Sequence, residues 1–335
     1  MKHIKPFALA AATAISVGSV SVAEEANYIL ATASTGGTYY PVGVALSTLV
    51  KVKLEPKQKV GMSAISSAGS GENVRLLREN EAQFAILQGL FGSYAATGTG
   101  PISESGPQEN LRSVSMLWQN VEQFIVSRDH ASERTVTDLV ALKGESMAMG
   151  RQNSGTIGSN RALLSGLGID LENDYELVHA GYGPSAEALQ NGQVKGIGTP
   201  AGVPTGAVSQ LMAAAGDSVM PLDVTDEELE KMDGGRNLWT RYVIPAGTYP
   251  NQLLDWNTIA QPNFLATNAD VSEENVYQIT KTIYENLAFL QAIHPATKAM
   301  AIEKAIAGLP VPLHPGAAKF YKEQGIEIPD RLMAN

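Results

Sequence analysis

Four times in this chain a short β-run ends in a cluster of small, glycine or hydroxyl-bearing residues, and a helical pattern starts a few positions later. The first run is Tyr28–Thr32, followed by Ser34-Thr35-Gly36-Gly37-Thr38 and a helix near Pro41. The second is Val60–Ser66, followed by Ser67-Ala68-Gly69-Ser70-Gly71 and a helix near Asn73. Ser146–Gly150 leads into Arg151-Gln152-Asn153-Ser154-Gly155-Thr156, and Val194–Thr199 into Pro200-Ala201-Gly202-Val203, with Pro204 suited to a first helical turn. This alternation predicts an α/β fold with mixed, mainly parallel sheets flanked by helices. Parallel strands receive ligands beyond their carboxyl ends, so the four junctions are expected to face a common cleft. Glycines let the backbone approach a guest, free N–H groups at a helix start carry partial positive charge, and hydroxyls add adjustable hydrogen bonds. A small carboxylate is the predicted guest. Each helix start contributes roughly 0.3–1 kcal/mol, or about 2 when partly buried, a useful share of the roughly 8 kcal/mol that micromolar affinity demands.

Lys2, His3 and Lys5 precede the apolar and small run Phe7–Val22, and Ser21-Val22-Ala23 offers a peptidase small residues. Residues 1–23 therefore read as a cleaved signal peptide, with cleavage after Ala23 and the periplasm as destination. An uncleaved anchor is the alternative, but the run is rich in Ala, Ser and Thr and is broken by Gly18. No cysteine occurs in the chain, so neither a lipobox nor a disulfide framework is available. The net charge of −10 becomes −12 once Lys2 and Lys5 are removed, which argues against nucleic acid as a partner.

The β-runs Leu111–Trp118 and Phe124–Ser127 suggest a crossing between two lobes, and a return near Val219–Val224 leads to a helical C-terminal portion. The expected organisation is residues 24–121 plus 222–335 in one lobe and 122–221 in the other. The strongest helix spans Ser272–Ile293, where Val276, Ile279, Ile283, Leu287 and Leu290 recur at helical spacing.

Seven segments carry a family resemblance: S-T-G-G-T-Y-Y-P at 34–41, S-x-G-S-x-E-N-V-R-L-L at 67–77, A-x-F-A-I-L-Q at 82–88, N-S-G-T at 153–156, A-G-V-P-T at 201–205, I-P-A-G-T-Y-P at 244–250 and L-P-V-P-L-H-P-G-A at 309–317. In order and over the whole mature chain, they resemble the TAXI solute receptors of tripartite ATP-independent periplasmic (TRAP) transporters. The resemblance implies a two-lobed periplasmic-binding-protein fold of type II, hinged around a cleft that closes on an acidic small molecule such as glutamate, 2-oxoglutarate or 2-hydroxyglutarate. It implies TRAP membrane subunits as partners and no cofactor.

Position by position, the resemblance makes Gly37, Thr38 and Tyr39 the first ligand loop and Ser67 with Ser70 the second. Gln88 ends the next strand, Ser154 and Thr156 form the loop of the other lobe, and Thr199 with Ala201 stand at the mouth of the last strand. Tyr39 is either a packing tyrosine or a wall over an aliphatic carboxylate, and Gln88 offers a donor and an acceptor to an amino or hydroxyl substituent. Asn73 and Glu72 read as structural. Arg151 departs from the family pattern: it is either a solvated surface charge or a fork aimed at a second carboxylate.

Enzyme readings find little support. There is no G-x-S-x-G, Walker loop or G-x-G-x-x-G. His130, His179, His294 and His314 show no metal-ligand spacing, and no metal is expected; only His179 lies close to the proposed cleft. A ligand sensor that reports to a membrane kinase is the remaining alternative, since the same closure would serve both uses.

Overall fold

The computed structural model describes residues 25–334; the expected signal peptide and its cleavage site lie outside them. The chain opens with β1 (Ala26–Ala31), α1 (Tyr39–Gln58), β2 (Val60–Ile65), α2 (Ser70–Arg78), β3 (Phe84–Gln88), α3 (Gly89–Thr97) and β4 (Leu111–Val121). It continues through β5 (Phe124–Ser127), β6 (Ser146–Ala148), α4 (Gly155–Leu164), α5 (Leu171–Asp174), β7 (Glu176–Leu177), α6 (Tyr182–Gln190), β8 (Gly196–Gly198), α7 (Gly206–Ala215) and β9 (Val219–Pro221). The last third holds α8 (Asp226–Asp233), β10 (Thr240–Ile244), β11 (Trp256–Asn268), α9 (Glu273–Glu285), α10 (Leu287–Ile293) and α11 (Pro315–Glu323).

Two sheets result, one in each lobe. The first is ordered β10-β11-β3-β1-β2, with β4 also pairing β11; the second is β7-β6-β8-β5-β9. In each, parallel strands carry the loops that lead into helices (β1 with β2 and β3; β6 with β7 and β8), and antiparallel strands join the lobes. Strand β5 shows why the second sheet needs covering on both faces. Phe124 and Val126 enter a core with Leu139, Met147 and Leu163, while Ile125 enters another with Ile197, Leu189 and Leu211, the period-two alternation of a strand.

Strand β11 corrects the expected helical C-terminal portion and the expected return at Val219–Val224. Val219–Pro221 is instead an edge strand of the second sheet, pairing with β5. The chain returns through β11, whose Trp256 and Ile259 pack into the second lobe's cores while Phe264, Leu265 and Ala266 join the first lobe's core. Its sequence hides it. Gln261, Asn263 and Thr267 are buried polar residues that break the apolar signal, and Pro262, at a register shift against β4, is the kind of residue that argues against a central strand. The predicted helix 272–293 is likewise divided at Asn286, whose backbone leaves the helical region (φ −129°, ψ 30°). Among the described residues no helix is long and apolar enough to cross a membrane.

Candidate functional site

The loops that follow β1, β2, β6, β7 and β8 converge on one cavity between the lobes. Its walls include Gly37, Thr38, Tyr39, Ser70, Gln88, Arg151, Ser154, Thr156 and Ala201, all predicted from sequence. The helices that open onto it start unusually. Thr38 caps α1 by position, yet its side chain makes no capping bond and donates across the cleft to the Gly202 carbonyl at 2.7 Å. Gly69 heads α2 with φ at +117°, and Gly181 heads α6; neither has a side chain that could cap. Three helix starts therefore present amides not satisfied by side chains to the same space, where an anion is the natural partner. Only α4 is capped, by Ser154 Oγ, which accepts from Ile157 N at 3.1 Å and donates to Arg151 O at 2.6 Å.

The predicted fourth junction behaves differently. Pro200 and Ala201 do line the cavity, but α7 begins at Gly206, beyond Pro204, and Ala207 N donates to Gly36 O at 3.2 Å. That helix start serves closure. The junction before α6, with Ala180, Gly181 and Tyr182, takes its place in the cavity wall. Its Gly181-Tyr182-Gly183-Pro184 run was legible as a fifth strand-to-helix junction. Tyr182 donates to Pro200 O at 2.5 Å and accepts from Thr156, 2.8 Å away. Burial pushes its phenol pKa up, which keeps it protonated.

Two predicted residues do not reach the cavity. Ser67 turns inward, its hydroxyl 2.7 Å from Asn73 Oδ1 and accepting from Gly69 N at 3.0 Å, so it shapes the loop. Thr199 follows β8, its hydroxyl donating to the Gln123 carbonyl at 3.4 Å. Both were implied by the TAXI resemblance, but a hydroxyl beside a ligand and one beside a neighbouring carbonyl look alike in sequence. Asn73 is structural: Nδ2 donates to Thr32 O at 2.7 Å and Ile86 O at 3.0 Å, tying together the ends of β1 and β3. Glu72 accepts from Ala68 N at 2.5 Å within the same loop. His179 lies outside the cavity, its Nδ1 3.2 Å from Gly150 O.

Arg151 combines its two sequence readings. The residue is exposed, yet it also lines the cavity, and its Nη1 donates to Ser67 O in the opposite lobe at 3.2 Å. Among the described residues no Asp or Glu lines the cavity. The lobes also meet directly: Glu72 N donates to Asn153 O at 2.9 Å. The closed cleft keeps a small cavity of about 30 Å³. Among the described residues no group of His, Asp and Glu side chains is arranged to hold a metal.

Glu122 lies at the strand crossing behind the cavity. It is fully buried; Oε1 accepts from Trp239 Nε1 at 3.0 Å and Gln261 Nε2 at 3.5 Å, and Oε2 has no partner. Desolvation raises its pKa from 4.5 to about 7, against the lowering effect of those two donors. The folded value exceeds the unfolded one, so the native state holds the extra proton between these pH values, and stability falls as pH rises through that window. Glu122→Gln should match the parent near pH 4.5 and exceed it by up to about 3 kcal/mol at pH 8. Urea unfolding at both pH values checks this; parallel pH profiles for the two proteins would exclude it.

The architecture has clear relatives among solved structures. A protein from Bordetella bronchiseptica RB50 superposes with a TM-score of 0.52 at 13% identity, covering 92% of this chain and 91% of its own. The periplasmic binding protein BugD gives 0.51 at 11%, covering 90% and 93%. The alkanesulfonate-binding protein SsuA from Xanthomonas axonopodis pv. citri, bound to MOPS, gives 0.48 at 13%, covering 90% and 92%. At such identities the first two establish a shared fold, that of a two-lobed periplasmic binding protein. Residues 30–325 match the NMT1-like family, and this chain belongs to that family.

Proposed function

We propose that this chain is a periplasmic solute receptor that closes its lobes around a small carboxylate and delivers it to the membrane subunits of a TRAP transporter. One observation carries the ligand class. Three helix starts without side-chain caps open, together with Arg151, onto a single cavity that no Asp or Glu among the described residues lines. Amide dipoles and one guanidinium attract a negative guest, and nothing in the wall repels it. The seven TAXI-like motifs support the TRAP partner and the glutamate or 2-oxoglutarate class. Binding requires no cofactor and no turnover.

The direct test is a thermal-shift screen of the purified chain against mono- and dicarboxylates of two to six carbons, followed by calorimetry. A true ligand at 100 times its Kd stabilises the native state by about 2.7 kcal/mol. A flat response across the panel would discard the carboxylate reading. Arg151→Ala should weaken dicarboxylates by about tenfold or more and monocarboxylates much less, because only the former place a second charge at the mouth. Uptake by vesicles containing candidate TRAP subunits, dependent on this protein, tests the partner. Mass spectrometry of the exported protein tests cleavage after Ala23.

A further inference from the structure

We propose that Asn120 is a ligand-binding residue, and that its amide together with Gln88 selects carboxylates bearing a neutral hydroxyl on the carbon next to the acid group. The inference rests on the carboxylate reading above and adds a substituent to it. Asn120 stands near the end of β4, 1% exposed, in the cavity wall. Its orientation is set from behind. The Tyr39 phenol, kept protonated by burial, donates to Asn263 Oδ1. Asn263 must then turn Nδ2 away from the phenol, and that group faces Asn120 Oδ1 at 3.5 Å. With its oxygen engaged, Asn120 is left with Nδ2, a buried donor without a hydrogen-bond partner among the described residues. This relay joins α1, β11 and β4, three elements far apart in sequence.

Gln88 supplies the complement. It is 3% exposed, lines the same cavity, and its Oε1 is a buried acceptor without a partner. Its amide lies so close to Gly155 that a Cβ there would stand 2.9 Å from Nε2, which limits how far the side chain can turn away. Buried donors and acceptors left unmet are costly, so a guest that satisfies both is favoured over one that satisfies neither. A hydroxyl is the smallest group that can accept from Asn120 and donate to Gln88. A keto oxygen only accepts. An ammonium only donates, and no carboxylate in the wall offsets its charge.

Calorimetry of the full mature chain with matched acids of three, four and five carbons tests this: 2-hydroxy, unsubstituted, 2-oxo and 2-amino forms of each. The expected result, at whichever chain length fits, is a 2-hydroxy acid bound about 10- to 100-fold more tightly than its unsubstituted counterpart, and more tightly than the oxo and amino forms. Asn120→Ala should bring the hydroxy-to-unsubstituted ratio to about one while the unsubstituted acid keeps its affinity within about threefold. Tyr39→Phe, which frees Asn263 to turn over, should give an intermediate ratio. A merely structural role for these residues would lower all affinities together and leave the ratio intact, which would overturn the assignment. The parent series needs no variant to fold: equal binding of hydroxy and unsubstituted acids defeats this inference alone, whereas no binding of any acid defeats the carboxylate reading as well.

Discussion

Gly71→Ala should weaken carboxylate binding at least about 100-fold while leaving the unliganded protein as stable as the parent. Gly71 is the second residue of α2 and faces the other lobe, where a Cβ would stand 2.5 Å from the backbone carbonyl of Asn153. A backbone oxygen cannot rotate out of the way, so the lobes must stay apart. Separation breaks the Glu72 N to Asn153 O bond at 2.9 Å, and with it the cross-cleft bonds from Thr38 to Gly202 O at 2.7 Å and from Ala207 N to Gly36 O at 3.2 Å. If the closed state falls to about 1% occupancy, apparent affinity falls by about the reciprocal of that fraction. The lobe itself gains, because alanine is the better helix former by up to about 1 kcal/mol. Calorimetry paired with thermal melting checks both halves, and binding within threefold of the parent would show that closure does not bring these surfaces together.

The largest stability effect is expected at Asn73. Asn73→Ala removes the donors to Thr32 O and Ile86 O and the acceptor near Ser67, all in a fully buried setting. Each stranded buried group costs about 1–3 kcal/mol, and other contacts to Thr32 O from Ser67 recover part of this. The net loss should be about 3 kcal/mol, read as a lower urea midpoint with unchanged slope. Ligand affinity should fall with it, since the Asn73 bonds hold the loop that carries Gly69 and Ser70 against the end of β3, where Ser70 Oγ accepts from Gln88 N at 3.1 Å. Asn73→Asp should be worse, because it replaces two donors with a charge among carbonyl oxygens. A loss below about 1 kcal/mol for the alanine variant would show that this junction is not held by Asn73.

Strand-to-helix punctuation was readable because its causes are local. The β5 boundaries expected at 124–127 match those observed, and β2 ends one residue early, at Ile65. Helix α2 starts at Ser70, ahead of the expected Asn73, because Gly69 at φ +117° turns the chain so that Ser70 can meet the end of β3. Tyr182 and the α6 start could have been found by the same pattern applied a fifth time. Asn120, Asn263 and Glu122 could not, since a lone polar residue in a β-run carries no local mark of burial.

From the residues alone followed the α/β alternation, the gathering of glycine and hydroxyl loops at strand ends, and through them the proposal of an anion-binding cleft. These rest on interactions between near neighbours: turn chemistry, helix starts and period-two burial. Tertiary structure alone decided which helix starts line the cavity and which bridge the lobes, that β11 is the returning strand, and that Ser67 and Thr199 look away from the cavity. Those outcomes depend on partners tens to hundreds of residues distant, as with Thr38 and Gly202 or Asn120 and Asn263. Only the closed packing of the two lobes brings such partners within hydrogen-bonding distance, and no sequence window contains both.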